Sequence, residues 1–369
     1  MLIYFLCLLY WLLLYAFHRG ETTNTGLFFA IFPLFLVMAL KSVSVGSDTI
    51  SYFARYVNAE TMLDASRSIT EPGYNFVSYF FHDVLRVPFY VYYALMSLFI
   101  CYILALFLKY YSLNVYLSLF VYMTIGLFTM SMSGLRQMLA ISICFIPLIV
   151  ARKEERRMNR KRHGRLYLIG LGVICSLVAY TFHNSALVFL PVVFLLDIRL
   201  TKIETIAILF IAISTIVFRS ILVNMLDVLA PDKYEQYDFQ EGYKMNILVL
   251  LLPIVIGLFC TFVSSPEKSR GTYSKQMSLM FIFLALYVMF NNLALSHNQI
   301  ARIGYYFSNA TIILIPHAIY QLPKDTRRLA IIPIILLCLV FFYLGIDGGT
   351  LKIDRYLFFW QEPVFMMYQ

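Results

Sequence analysis

Charged residues are scarce in this sequence. They make up 13% of it against 61% apolar residues, and the mean hydropathy of +0.77 lies far above that of a water-soluble domain. A soluble core cannot hide that much apolar surface, so a soluble catalytic module is excluded. Catalytic signatures are missing too: there is no P-loop, no H-E-x-x-H, no G-x-S-x-G and no acidic pair spaced like a divalent-metal diad. Nucleotide chemistry is therefore unsupported, and no cofactor or metal is called for. Cysteines are few, and Cys7, Cys101, Cys144, Cys175, Cys260 and Cys338 lie singly in apolar runs without C-x-x-C spacing. They read as small core residues, not as disulfides or metal ligands. The first apolar run, Met1 to Phe17, has no basic n-region and no A-x-A-like site after it, so it reads as a span and not as a removable signal peptide.

What is present is a succession of apolar runs. A helix needs roughly 20 residues to cross about 30 Å of hydrocarbon. Runs of that order predict helices over 2–17, 27–43, 88–108, 112–132, 135–151, 166–182, 185–198, 203–222, 246–264, 276–295, 303–321 and 329–346. The segment 74–86 is too short and mixed to cross and reads as an interfacial or re-entrant helix. The expected fold is all-α: one transmembrane domain over 1–369, a polytopic bundle of about twelve transmembrane helices plus interfacial helices.

The net charge of +9 raises nucleic acid or anionic lipid as partners, but the basic residues sit in short links between spans, where they set topology. No nucleic acid is expected. The loop 152–165 carries eight Lys or Arg in fourteen residues and belongs in the cytoplasm. Threading outward from it puts 18–26, 109–111, 199–202, 265–275 and 322–328 inside as well. With Asp197 and Glu204, these inside segments hold 18 of the 29 basic but 7 of the 20 acidic residues, the asymmetry that a positive interior demands. Two long segments, 41–86 and 224–244, then lie outside, and long loops tend to carry function. The tail 346–369, with Tyr356, Phe358, Phe359 and Trp360, reads as an aromatic interfacial segment.

Ionisable side chains at membrane depth cost about 2.5–3.5 kcal/mol at a helix centre, so each needs a reason. Arg136 and Gln137 enter the outer end of the fifth span, and His183 caps a tight hairpin between two apolar arms. Arg302 opens the eleventh span, with Tyr305 and Tyr306 close enough along a helix to stack on its guanidinium. In the first outer loop, Asp48 and Tyr52 stand one helical turn apart, and Glu71-Pro-Gly-Tyr74 forms a turn-like start to the amphipathic piece. Singly, each has a plain structural alternative: a snorkelling arginine, a turn histidine, an N-cap aspartate, a first-turn glutamate. Jointly, two acids, two arginines and a histidine from five segments thread to one level. Arginine forks suit phosphate or pyrophosphate, and a carboxylate or imidazole accepts a proton from a sugar hydroxyl. Since nucleotide sugars are cytoplasmic donors in ordinary metabolism, the outer level leaves a lipid-linked donor.

These residues stand in Gly46-Ser-Asp48-Thr49-Ile-Ser-Tyr52, Glu71-Pro-Gly-Tyr74, Gly134-Leu-Arg136-Gln137-Met-Leu-Ala140, His183-Asn-Ser185-Ala186-Leu187 and Arg302-Ile-Gly-Tyr305-Tyr306. In order and spacing, the five pieces resemble the EpsG-like family of exopolysaccharide biosynthesis proteins, relatives of the Wzy-type O-antigen and capsule repeat-unit polymerases. The resemblance implies polymerisation of undecaprenyl-diphosphate-linked oligosaccharide at the outer face of a bacterial plasma membrane, with membrane lipid and a chain-length regulator of the same pathway as partners. It implies that Arg136 and Arg302 hold the diphosphate, that Asp48, Glu71 or His183 activates the acceptor hydroxyl, and that Gln137, Tyr52, Tyr74 and Tyr305 contribute to substrate binding. Two other classes stay open: a flippase or exporter of lipid-linked glycans, whose charges would line a path to both faces, and a membrane O-acyltransferase using His183.

Overall fold

A computed structural model describes residues 1–17, 22–58, 71–156, 164–229, 247–296, 300–347 and 352–361. Half of the basic loop (157–163), most of the second outer loop (230–244) and 59–70 of the first fall outside the described residues. The described residues are helical apart from links and two isolated bridges, Lys41 with Phe358 and Thr201 with Thr272.

The helices are α1 (Leu2–Phe17), α2 (Asn24–Ala39), α3 (Thr49–Val57), α4 (Pro72–Tyr79), α5 (Phe89–Tyr111), α6 (Val115–Thr124), α7 (Leu127–Ser133), α8 (Leu135–Glu155), α9 (Arg165–Phe182), α10 (Lys202–Leu229), α11 (Ile247–Val263), α12 (Lys275–Leu293), α13 (Ile300–Ser308), α14 (Thr311–Gln321) and α15 (Lys324–Asp347). Among the described residues six stretches are long and apolar enough to cross a membrane: α5, α8, α9, 202–223 of α10, α12 and 324–346 of α15. The pair α6–α7, bent by 65°, makes a seventh if it counts as one span, and five further apolar helices are shorter, with 10–17 residues. Large apolar side chains face outward, among them Leu166, Ile203, Phe210, Val217 and Leu329, an arrangement that suits lipid and not water.

Three expected spans depart from straight α-helix, each for a local reason. The run 112–132 bends at Gly126, whose φ of +92° a residue with a Cβ rarely adopts. The run 303–321 divides between α13 and α14, where the Ser308 hydroxyl and the Asn309 amide both donate to the Tyr305 carbonyl and compete with the helical ladder. The run 185–198 is a 3-10 helix over Asn184–Phe194. At about 2.0 Å per residue this winding reaches further than an α-helix of equal length.

The chain divides into two compact units, 1–194 with 333–369 and 195–332. In the first, α8 is the most buried of the long spans and packs on α5 and α9. Trp11 donates to Ala30 O at 2.8 Å and joins α1 to α2, and Tyr111 donates to Leu148 O at 3.1 Å and joins α5 to α8. In the second, the buried Asn292 amide ties α12 to α10 by donating to Ala212 O at 3.0 Å and Thr215 Oγ1 at 3.1 Å.

The basic links gather at one end within each unit. Arg152 and Arg156 donate to the carbonyl of Tyr110, while Lys109 reaches Asn24 Oδ1 at 2.7 Å. In the second unit Lys275 pairs with Asp197 at 2.5 Å and Arg199 with Glu267 at 3.6 Å. These are the links that the charge count threads to one side.

Candidate functional site

Glu71 lies at the centre of the polar cluster in the first unit. It immediately precedes α4 with φ +64° and ψ +59°, the left-handed region, in front of a proline. A side chain disfavours that conformation, and Pro72 disfavours any helical one for its predecessor, so the backbone there carries strain on the order of 1–3 kcal/mol. The strain turns a buried carboxylate inward. One oxygen of Glu71 forms an ion pair with Arg136 Nη1, and the other meets His183 Nδ1 at 2.5 Å. The three side chains come from the starts of α4 and α8 and the end of α9, far apart in sequence.

Gly73 permits the approach. A Cβ there would stand 2.1 Å from Thr181 Oγ1 and 3.2 Å from the Phe182 ring, so only glycine lets α4 seat against the end of α9 and carry Glu71 to His183. Gly46 does the same for the first outer loop: its φ is +95°, and a Cβ would meet Met132 O at 2.3 Å. The turn it allows docks beside the α7–α8 junction, where Ser47 Oγ and Ser133 Oγ lie 2.7 Å apart.

Two tyrosines wall the pair. The Arg136 guanidinium lies 5.4 Å from the Tyr52 ring centre and 5.9 Å from that of Tyr74, and the two rings are 5.8 Å apart. Both rings are buried. Burial pushes the Tyr52 hydroxyl above its ordinary value against the pull of Arg136, and pushes Tyr74 well above it. Both are thus protonated donors at neutral pH. Arg136 Nε is buried with no acceptor among the described residues, which is donor capacity that a bound anion would satisfy.

The arrangement sets the imidazole. With Nδ1–H donating to Glu71, the lone pair of neutral His183 sits on Nε2, the tautomer of a general base oriented by a carboxylate. Glu71 has both oxygens engaged, one on each partner.

The structure thus brings Glu71, Arg136, His183, Tyr52 and Tyr74 together, with Gln137 buried beside Arg136 on α8. Asp48 is half-buried at the start of α3, one turn before Tyr52, and accepts from Ser47 Oγ at 3.0 Å. Arg302 is exposed on α13 in the second unit and Tyr305 is half-buried there. Arg136, which the resemblance assigns to a diphosphate, pairs with Glu71 through Nη1.

Lys41 was not singled out. It is fully buried just past α2, donates to Val45 O and to Thr49 Oγ1 (2.6 Å), and lies 4.6 Å from the Tyr93 ring centre. Burial holds it well below the usual lysine range. It braces the loop that ends in Asp48.

All of these positions fall inside one stretch of shared sequence pattern, because the EpsG family matches residues 24–357. The chain belongs to the EpsG family. No curated protein and no solved structure matches it. Exopolysaccharide biosynthesis, with which the EpsG family is associated, agrees with the six membrane-length apolar helices among the described residues.

Proposed function

We propose that this EpsG family member is a polysaccharide polymerase that joins undecaprenyl-diphosphate-linked oligosaccharide repeat units at the outer face of a bacterial plasma membrane. One observation carries the reading: a buried carboxylate that both orients an imidazole and pairs an arginine, at the end of α8 opposite the basic links. At 21 residues α8 is about 30 Å long, so basic links on the cytoplasmic side put the cluster at the far face. The bent pair and the five shorter helices, counted as crossings with the six long ones, make twelve.

In this reading His183 Nε2 accepts the proton of an acceptor sugar hydroxyl. The hydroxyl oxygen bonds to the anomeric carbon of the growing chain as the bond from that carbon to diphosphate breaks. Undecaprenyl diphosphate leaves with the electron pair, held by Arg136 while Glu71 steadies His183. Arg302 is the second phosphate candidate, and Asp48 is the second acid. A chain-length regulator is the expected protein partner.

The test is glycan analysis of a deletion strain complemented with variants. Loss of polymer, with single lipid-linked repeat units accumulating outside, supports the polymerase, and accumulation inside supports a flippase. Arg136→Lys keeps the charge but loses the planar fork, so chain length on a gel is expected to collapse although protein abundance holds. Wild-type ladders from Arg136→Lys reduce Arg136 to a charge partner of Glu71 and remove it from the diphosphate.

A further inference from the structure

A second polar feature lies one turn along α3 from the cluster. Tyr52 faces Arg136, and Tyr56, four residues on, borders a separate cavity of about 610 Å³, within the range of small-molecule sites. Phe53, Tyr56, His82, Asp83, Arg86 and Tyr90 are among its walls.

The backbone beside this cavity is irregular in two places. After α4 the chain winds one π-helical turn over Phe80–Val84, a form often found at functional sites, and Arg86 follows with φ +50°. This local winding puts His82 and Asp83 on the cavity. His82 Nδ1 lies 3.3 Å from Asp83 Oδ1, while Asp83 Oδ2 is buried without a hydrogen-bond partner among the described residues. An unsatisfied buried carboxylate oxygen is costly and calls for a donor. Tyr56 spends its own hydroxyl on Val87 O at 2.6 Å, and Tyr90 stacks on Phe359 at 5.0 Å with the rings 3° from parallel, beside the exposed Trp360.

The lining selects the ligand. A phosphate would meet the Asp83 carboxylate, and an alkyl chain would leave Oδ2 unsatisfied. A hydroxyl-rich neutral ring suits every wall: its hydroxyls donate to Asp83 and accept from Arg86, and its C–H face lies on aromatic surface. We propose that this cavity is a binding subsite for a neutral pyranose unit of the glycan, separate from the anion seat at Arg136. That the glycan is a polymerase substrate rests on the function proposed above; the affinity of the cavity for sugar does not.

The test uses the full chain purified in detergent and oligosaccharides released by mild acid from the cell's own surface polysaccharide, with saturation-transfer NMR as readout. The wild type is expected to show saturable transfer. Asp83→Asn is expected to weaken binding about tenfold, since it exchanges a charged acceptor for a neutral one, and Glu155→Ala, at the other end of α8, to leave it unchanged. Should Asp83→Asn fail to fold, Phe53→Ala carries the test through loss of the aromatic wall, again as weakened binding. No transfer to the wild type, or wild-type affinity in the folded cavity variants, overturns the proposal. Intact polymer in a deletion strain would instead overturn the polymerase reading and leave the sugar site standing.

Discussion

Two arginine–glutamate pairs stand at opposite ends of α8 and are built differently. Arg152 and Glu155 sit three residues apart on the same helix, 3.0 Å from each other, with about a quarter of each side chain exposed. Arg136 and Glu71 are 65 residues apart, and the Glu71 side chain is 6% exposed and also bonds His183, 112 residues on. The first pair is what helical spacing gives without tertiary structure. The second exists only when α4, α8 and α9 are assembled, so it reports assembly.

The largest expected effect breaks the second pair. Glu71→Ala leaves the half-buried Arg136 uncompensated, and is expected to cost about 3–5 kcal/mol by thermal unfolding in detergent. A loss under about 1 kcal/mol would place the cluster energetically with surface pairs. Gly73→Ala comes next: the added methyl overlaps Thr181, costs roughly 1–3 kcal/mol, and lifts Glu71 from His183. Thr181→Ala in the same chain is expected to restore part of that loss, and no restoration would show that the strain is relieved elsewhere. At the other end, Glu155→Ala is expected to change stability by less than about 1 kcal/mol, the range of partly exposed pairs. A larger loss would erase the contrast.

The smallest effect concerns Lys41, whose amine meets the Val45 carbonyl, the Thr49 hydroxyl and the Tyr93 ring, all neutral groups. Burial holds its folded value well below 10.5, so in that window the unfolded chain binds a proton that the folded chain lacks. Its penalty is present in full below the folded value and fades as pH rises toward 10.5. The stability of wild type relative to Lys41→Met is therefore expected to rise with pH across the alkaline range. A difference flat in pH would mean that Lys41 is charged when folded.

Polar residues inside apolar runs were legible: Arg136 and His183 stood out because nothing near them in sequence explains them. Glu71 stood out as well, but its pairing with them did not. No local pattern pairs residue 71 with 136 and 183, and a glutamate before proline gives no sign of a left-handed backbone, which tertiary contacts enforce. Lys41 was hidden because a lysine ending an apolar run matches an interfacial anchor. His82 and Asp83 drew no notice in an amphipathic piece, since the π-helical turn that aims them has no sequence signature. The bundle itself was legible because lipid demands long apolar helices. The break at Gly126 depends on a left-handed backbone, and the one at Asn309 on side chains returning to a single carbonyl.

The strap 352–361 gives the cluster a place in time. Its backbone donates from Phe359 to Leu40 O and accepts from Ser42 and Gly46, and Tyr356 donates to Val37 O across 319 residues. At ~10 residues per second a ribosome needs roughly half a minute to make that much chain. The loop bearing Lys41, Gly46 and Asp48 therefore emerges long before its clasp, and must wait with α2 already made. A ribosome-bound chain therefore has no fastened loop beside Arg136, and the cluster's surround is completed only once the strap has been made.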